Sequence, residues 1–294
     1  MVRVLLLLIC GPFIVAALLT PTVYSLLIGL YPALPWPFSR VYSRVATVVA
    51  AVLVYVLRKD LNLALLKDYF APKGISRLSN GKALVIGVLL SMISAVLFFP
   101  FILQYGKVLW SAQPADLLLY KFLRTLPAAL LIGVIEESFF RVILFELFQK
   151  KFSVKSAAVI VSIIYAVIHF VAPVKNFQYA SFSFLAGFSY LSQIFERMIM
   201  LEVLPPMFGL FLVGLTLAYT IYTTRSIYLT VGLHAGWVLA VKLSSFVTVV
   251  APGVEFSAGV GRRYYLVSTT LGWASILLVW GAIYTIFIWR PKSS

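Results

Sequence analysis

The chain has 294 residues, of which 62% are hydrophobic and only 11% are charged. Soluble domains carry about 25% charged residues, so this composition excludes a soluble globular protein and indicates an integral membrane protein. The net charge of +15 comes from Lys and Arg scattered between apolar segments. Anionic lipid headgroups favour that distribution, which argues against a nucleic-acid-binding protein. Cys10 is the only cysteine, which excludes an internal disulfide and a cysteine-based metal site.

The apolar segments, taken in chain order, predict about eight transmembrane helices, since a helix needs about 20 apolar residues to cross the bilayer. They lie near residues 4–31, 43–57, 83–105, 117–148, 154–172, 203–223, 226–250 and 266–289. The first is longer than the apolar core of a cleavable signal peptide, which spans roughly 7–15 residues, and Pro12 and Pro21 predict a kink in it. The expected fold is an all-α polytopic membrane protein with its site in a cavity of the helix bundle.

The segment 174–202 is rich in aromatic residues and ends in a few charged residues. Aromatic side chains favour the headgroup region of a bilayer, so we expect an interfacial helix here. A ninth membrane span is the alternative interpretation of the same segment.

Ionisable residues within membrane spans mark the candidate site, because each costs about 2.5–3.5 kcal/mol on insertion scales. Six of them fall on the fourth, fifth and seventh predicted spans: Glu136, Glu137, Arg141, His169, His234 and Lys242. Both histidines of the chain are among them, and histidine transfers protons near neutral pH and ligates metals. At 1.5 Å rise per residue, Glu136, His169 and His234 reach compatible depths. The pattern therefore predicts one site within the bilayer.

Glu137 and Arg141 are four residues apart, about 40° around an α-helix, which predicts an ion pair along one face. Glu136 lies about 100° from Glu137 and does not share this geometry equally well. We therefore expect Glu137 to be a structural charge and Glu136 to be the candidate general base. Structural interpretations of the histidines stay open: His169 has a possible partner in Tyr165.

Three patterns stand in order on three predicted spans: Glu136-Glu137-x-x-x-Arg141, Tyr165-x-x-x-His169, and His234. They resemble the EExxxR, FxxxH and H motifs of the CAAX protease and bacteriocin-processing (CPBP, or Abi) family of intramembrane endopeptidases. The resemblance covers roughly residues 117–245. It implies a hydrolase that cleaves a peptide bond of a membrane-associated protein or peptide.

The resemblance also implies a role for each motif residue. Glu136 would be the general base that activates water, His169 would help to position that water, and His234 would stabilise the oxyanion. Glu137 and Arg141 would shape the site. No cofactor is implied, and an alternative is a zinc ion held by a glutamate and the two histidines.

Three residues depart from the family pattern. Tyr165 replaces the Phe of the second motif, and Val142 follows Arg141 where many members have Gly. Val238 stands four residues after His234, where the prenyl-protein proteases have an Asn that is held to assist the oxyanion. Losing one oxyanion donor lowers the rate by about 10²–10³. A non-catalytic membrane scaffold or immunity protein, or a small proton-coupled transporter, are therefore alternative functions.

The expected organisation is one membrane domain, with N-terminal spans in 1–116, a CPBP-like core in 117–250 and a C-terminal span in 251–294. Lys242 lies eight residues after His234, about 80° around the helix. It either snorkels toward the interface or attracts a substrate carboxylate. The expected partners are membrane lipids and the peptide substrate, in the plasma membrane of a prokaryote or, alternatively, the endoplasmic reticulum.

Overall fold

The computed structural model of the protein describes residues 2–61, 63–71, 79–171, 174, 177–256 and 262–287. The helices in these ranges are α1 Val2–Ile9, α2 Gly11–Leu30, α3 Phe38–Val56, α4 Leu65–Phe70, α5 Asn80–Leu103, α6 Ala115–Glu137, α7 Phe145–Gln149, α8 Val154–His169, α9 Leu185–Met198, α10 Leu204–Thr224, α11 Ile227–Phe246 and α12 Thr270–Phe287. A π-helical turn, Ser138–Leu144, joins α6 to α7, and 3₁₀ turns lie at Leu201–Val203 and Arg262–Ser268. Two short antiparallel strands, β1 Val108–Trp110 and β2 Thr248–Val250, pair with Val108 opposite Val250.

The helices confirm the all-α polytopic membrane fold. Five have the length and the apolar composition to cross a membrane: α2, α3, α5, α10 together with its preceding 3₁₀ turn, and α11. The helices α8 and α12 are apolar and shorter. The predicted fourth span corresponds to α6, the π-helical turn and α7, and residues 288–289 of the predicted last span lie outside the described residues.

The first predicted span is divided at Cys10, between α1 and α2, two residues before Pro12. Proline has no backbone N–H, so it is tolerated in the first turn of a helix, where that donor has no partner. The helix α2 then continues through Pro21. The break expected in this span therefore lies at its first proline.

The helix α9 has 14 residues, which span about 21 Å at 1.5 Å per residue. The hydrocarbon core of a bilayer is about 30 Å thick. This length is too short for a helical ninth span and fits the interfacial interpretation of 174–202, of which residues 175–176 lie outside the described ranges.

The chain forms two compact units. The first comprises Met1–Leu63 and His169–Met200, and the second comprises Ala64–Ile168 and Leu201–Ser294. In the first unit, Phe38, Tyr42 and Tyr190 form an aromatic core between α3 and α9. The expected single domain, with its boundaries at 116 and 250, stays a prediction.

In the second unit, α11 packs unusually closely against α5 through glycines. A Cβ atom on Gly232 would lie 2.2 Å from the Leu84 carbonyl oxygen, and a Cβ on Gly236 would lie 1.9 Å from Ser91 Oγ. Gly133 of α6 faces α11 less tightly: a Cβ there would lie 3.2 Å from the Val231 carbonyl oxygen and in ordinary contact, at 3.7 Å, with His234 Cβ. Small residues of this kind let helix backbones approach within a membrane. They fix α11 between α5 and α6.

A polar cluster anchors the short helix α4 to α7 and to the C-terminal end of α10. The Tyr69 hydroxyl donates to Glu146 of α7, and Arg225 Nη1 lies 3.1 Å from Glu146 Oε1 and donates to the Tyr69 hydroxyl. Burial and the hydrogen bond to Glu146 raise the pKa of Tyr69 to about 12, so this donor keeps its proton at neutral pH. Arg225 ends α10 two residues before α11 begins. The cluster therefore fixes the start of the helix that carries His234.

Candidate active site

The paired glutamates lie where the helix widens. The helix α6 ends at Glu137, and in the π-helical turn that follows, the Phe145 N–H donates to the Phe140 carbonyl, five residues earlier. Turns of this type are rare and occur frequently at functional sites. Arg141 lies within the turn, and its Nε is 3.2 Å from Glu137 Oε2. The predicted ion pair is therefore present, although the backbone between its partners is wider than the α-helix assumed from the sequence.

Glu137 joins the π-helical turn to α11. Its side chain is fully buried, and while one carboxylate oxygen faces Arg141, the other lies 2.8 Å from His234 Nδ1. A buried carboxylate that hydrogen-bonds one ring nitrogen fixes the orientation of an imidazole. The four-residue spacing in the sequence predicts only the pair of Glu137 with Arg141. The second bond, to His234, could not be predicted because it depends on how closely α6 approaches α11.

His234 presents its second ring nitrogen to Glu136. The ring is 3% exposed, and its Nε2 is 3.9 Å from Glu136 Oε2. This separation exceeds a hydrogen bond, and a water or substrate oxygen can bridge polar groups across such a gap. The Glu136 side chain is 29% exposed, in contrast to the fully buried Glu137. The two neighbouring acids therefore occupy different environments on either side of one histidine.

Tyr165 of α8 forms a wall of the same site. The Arg141 guanidinium carbon lies 4.8 Å from the centroid of the Tyr165 ring, within the range of a cation–π interaction. Phe140 contacts the Tyr165 ring edge-on at a centroid distance of 5.2 Å, and the His234 ring does so at 6.3 Å. Within the described ranges, Nη1 and Nη2 of Arg141 are buried without a hydrogen-bond partner. The aromatic face and Glu137 thus stabilise this cation.

Tyr165 differs from a phenylalanine by a hydroxyl on a ring that contacts Arg141 and His234. The whole side chain is only 3% exposed. Tyr165 therefore adds a buried hydroxyl to this wall of the site, where a phenylalanine would add none.

The remaining candidates from the sequence lie on the same helices. His169 is the last residue of α8, one turn beyond Tyr165, and is counted with the first compact unit. Lys242 is half-buried on α11, two turns beyond His234. Val238 packs against an apolar cluster formed with Ala129 and other buried residues. The roles of His169 and Lys242 in the site stay predictions.

The comparison with protein families finds one match, over the part of the chain that carries the site. Residues 118–240 match the family model described as Type II CAAX prenyl endopeptidase Rce1-like. We call these residues the Rce1-like domain because of this similarity. Its range contains the three motifs from Glu136 to His234, which confirms the resemblance drawn from them, and it ends before Lys242. No curated protein and no solved structure shows significant similarity to the chain.

The possible metal ligands in the Rce1-like domain are relevant to the zinc alternative. Catalytic zinc sites take three protein ligands and leave one position open. In the part of the chain that the structure describes, no three His, Cys, Asp or Glu side chains are grouped to hold a metal ion. Glu136 Oε2 and His234 Nε2 face each other and supply two oxygen or nitrogen donors. The zinc alternative stays a prediction.

Proposed function

We propose that this protein is an intramembrane endopeptidase that hydrolyses a peptide bond with a water molecule activated by Glu136. The Rce1-like domain supports a peptidase, since that family is one of endopeptidases. The observation that carries the mechanism is the contrast between the two acids. Glu136 is partly exposed and faces His234 Nε2, whereas Glu137 is fully buried and holds Nδ1 of the same ring.

In the proposed reaction, Glu136 takes a proton from water as the water oxygen bonds to the scissile carbonyl carbon. The electron pair of the carbonyl moves to its oxygen, and His234 Nε2–H donates a hydrogen bond to the resulting oxyanion. Breakdown of this intermediate cleaves the C–N bond, and the departing amine takes the proton from Glu136. The products are a carboxylic acid and an amine, which exchange a proton in water to give a carboxylate and an ammonium group, and Glu136 returns to its starting state.

The hydrogen bond to Glu137 sets the protonation state that His234 needs for this role. Its Nδ1 lies 2.8 Å from Glu137 Oε1 and donates to it. A neutral imidazole carries one N–H only, so Nε2 donates to the oxyanion when the ring is an imidazolium. Arg141 in turn balances the charge of the buried Glu137.

The bilayer supplies the surroundings that this chemistry needs. A site that excludes bulk water strengthens the electrostatic interactions within it. Glu136 Oε2, which faces His234, is buried, whereas the side chain as a whole is 29% exposed, and we propose that the reacting water enters from the exposed side. We propose that His169, one turn after Tyr165 on α8, helps to position this water. The site then has its base at the end of α6 and its oxyanion donor on the neighbouring α11.

The proposed substrate is a membrane-associated protein or peptide. The matched family is described as acting on prenyl CAAX proteins, so a prenylated C-terminal peptide is the first candidate. Lys242 carries a positive charge two turns after His234 and would attract a carboxylate of the substrate. We place the protein in the plasma membrane of a prokaryote, where it is surrounded by lipids.

Reconstituted protein tests this proposal directly. Wild-type protein in lipid nanodiscs is incubated with matched fluorogenic peptides that end in a CAAX sequence, with and without a prenyl group. We expect cleavage by the wild-type protein and loss of cleavage in Glu136→Gln. Glu196 lies exposed on α9, so Glu196→Gln is the matched control and is expected to cleave normally. An intact peptide in every reaction would refute the peptidase and favour the scaffold, for which the apolar Val238 is the supporting feature.

A further inference from the structure

The proposed reaction leaves the oxyanion with few hydrogen-bond donors. Glu136 and Glu137 accept hydrogen bonds when ionised, and His234 Nδ1 is bonded to Glu137. Nε2 of His234 is then the one donor that the ring offers to substrate. Preorganised sites for acyl transfer usually combine several donors, and losing one lowers the rate by about 10²–10³.

The residue one turn beyond His234 does not supply a second donor. Val238 is apolar and packs against the cluster of Ala129, Ala235 and Leu239. A side chain at this position reaches the same part of the helix surface as His234, because residues four apart lie on one face. The missing donor must therefore come from another helix.

Tyr165 of α8 is placed to provide it. Its ring lies edge-on to His234, and the side chain is almost fully buried. The Arg141 cation over its ring, at 4.8 Å, draws electron density from the phenol and strengthens its O–H as a donor.

We propose that the Tyr165 hydroxyl is the second hydrogen-bond donor to the oxyanion, opposite His234 Nε2. The inference rests on the proposed function and adds a catalytic residue to it. The hydroxyl donates a hydrogen bond as the carbonyl oxygen gains charge, and it keeps its proton throughout. The base and the leaving group are unaffected, because the proton still passes from water to Glu136 and then to the amine.

The variant Tyr165→Phe tests the hydroxyl while it keeps the ring, its contact with His234 and its cation–π partner. We expect kcat to fall about 10²–10³-fold, with KM and membrane abundance unchanged. Tyr42→Phe is the matched control. It removes a hydroxyl from an equally buried tyrosine of the first unit, one that donates to the Phe13 carbonyl, and it is expected to keep the wild-type kcat.

A second substitution distinguishes a catalytic hydroxyl from a structural one. Val238→Asn adds an amide donor one turn after His234, and in the Tyr165→Phe background it is expected to restore kcat by about tenfold or more. A wild-type kcat in Tyr165→Phe would overturn the inference, and so would an equal loss in Tyr42→Phe. Glu136→Gln is measured in parallel. If it abolishes cleavage while Tyr165→Phe does not, the inference fails and the proposed function stands; if it cleaves normally, the proposed function itself fails.

Discussion

Replacing Arg141 with Met is expected to destabilise the protein strongly, because it leaves Glu137 as a buried charge with one partner fewer. Both side chains of this pair are completely buried, and they lie 3.2 Å apart. Breaking a buried pair by removing one partner typically costs about 3–5 kcal/mol. The hydrogen bond between Glu137 and His234 remains, so we expect a loss near the lower end of that range. At 1.36 kcal/mol per factor of ten, this lowers the folding equilibrium constant by about 10²-fold.

A double-mutant cycle with Glu137→Gln separates the ion pair from the packing of the two side chains. Replacing both members of a buried pair by neutral groups is often close to neutral. The double variant is therefore expected to be more stable than Arg141→Met alone, with a coupling energy of about 1–3 kcal/mol. Unfolding in mixed micelles is followed by denaturant titration, and abundance in membranes is followed by immunoblot. Wild-type stability of Arg141→Met, or a double variant that is less stable than it, would refute this reasoning.

Three further outcomes follow from the helix packing and the proposed chemistry. Gly236→Ala is expected to reduce the amount of folded protein, because its Cβ would lie 1.9 Å from Ser91 Oγ and 2.6 Å from the Val88 carbonyl oxygen. Gly281→Ala on α12 meets nothing within 4 Å and is expected to gain about 0.5–1 kcal/mol from helix propensity; equal melting temperatures would contradict the packing argument. Chelators such as EDTA and phenanthroline are expected to leave cleavage unchanged, whereas a loss that added zinc restores would favour the metal alternative. Lys242→Met is expected to raise KM for peptides with a free C-terminal carboxylate and not for their amidated forms; an equal KM for both would exclude the proposed contact.

Membrane segments and the buried ion pair could be predicted because each depends on residues close together in the chain. Hydropathy alone locates α5 and α11, and the four-residue spacing brings Glu137 to Arg141. The expected kink also follows from local chemistry, since Pro12 stands at the start of α2. These features need no knowledge of how the helices pack.

The bond between Glu137 and His234 could not be predicted in this way. It depends on the close approach of α6 and α11 around Gly133, which brings together residues 97 positions apart. The π-helical turn at Ser138–Leu144 was also missed, because no residue type in that segment signals a wider backbone. Tyr165 was noticed as a departure from a motif, and its position beside His234 becomes visible only when α8 is packed against the other helices.

The proposed roles of Glu136 and His169 also predict how substitutions of these two residues combine. If Glu136 and His169 act together on one water, the double variant Glu136→Gln/His169→Ala should be little worse than either single variant. Residues that act as a unit are strongly non-additive in this manner. Multiplied losses would show that the two side chains act in separate steps.

Single-turnover cleavage by Glu136→Gln, measured at matched membrane abundance, is the most direct test of the proposed mechanism. A general base contributes about 10²–10⁴ in rate, so we predict a loss of that size with no loss of folded protein. Glu137→Gln, by contrast, is expected to reduce stability as well, because its carboxylate bridges Arg141 and His234. Near-normal cleavage by Glu136→Gln at normal abundance would contradict the proposal that this glutamate activates the water.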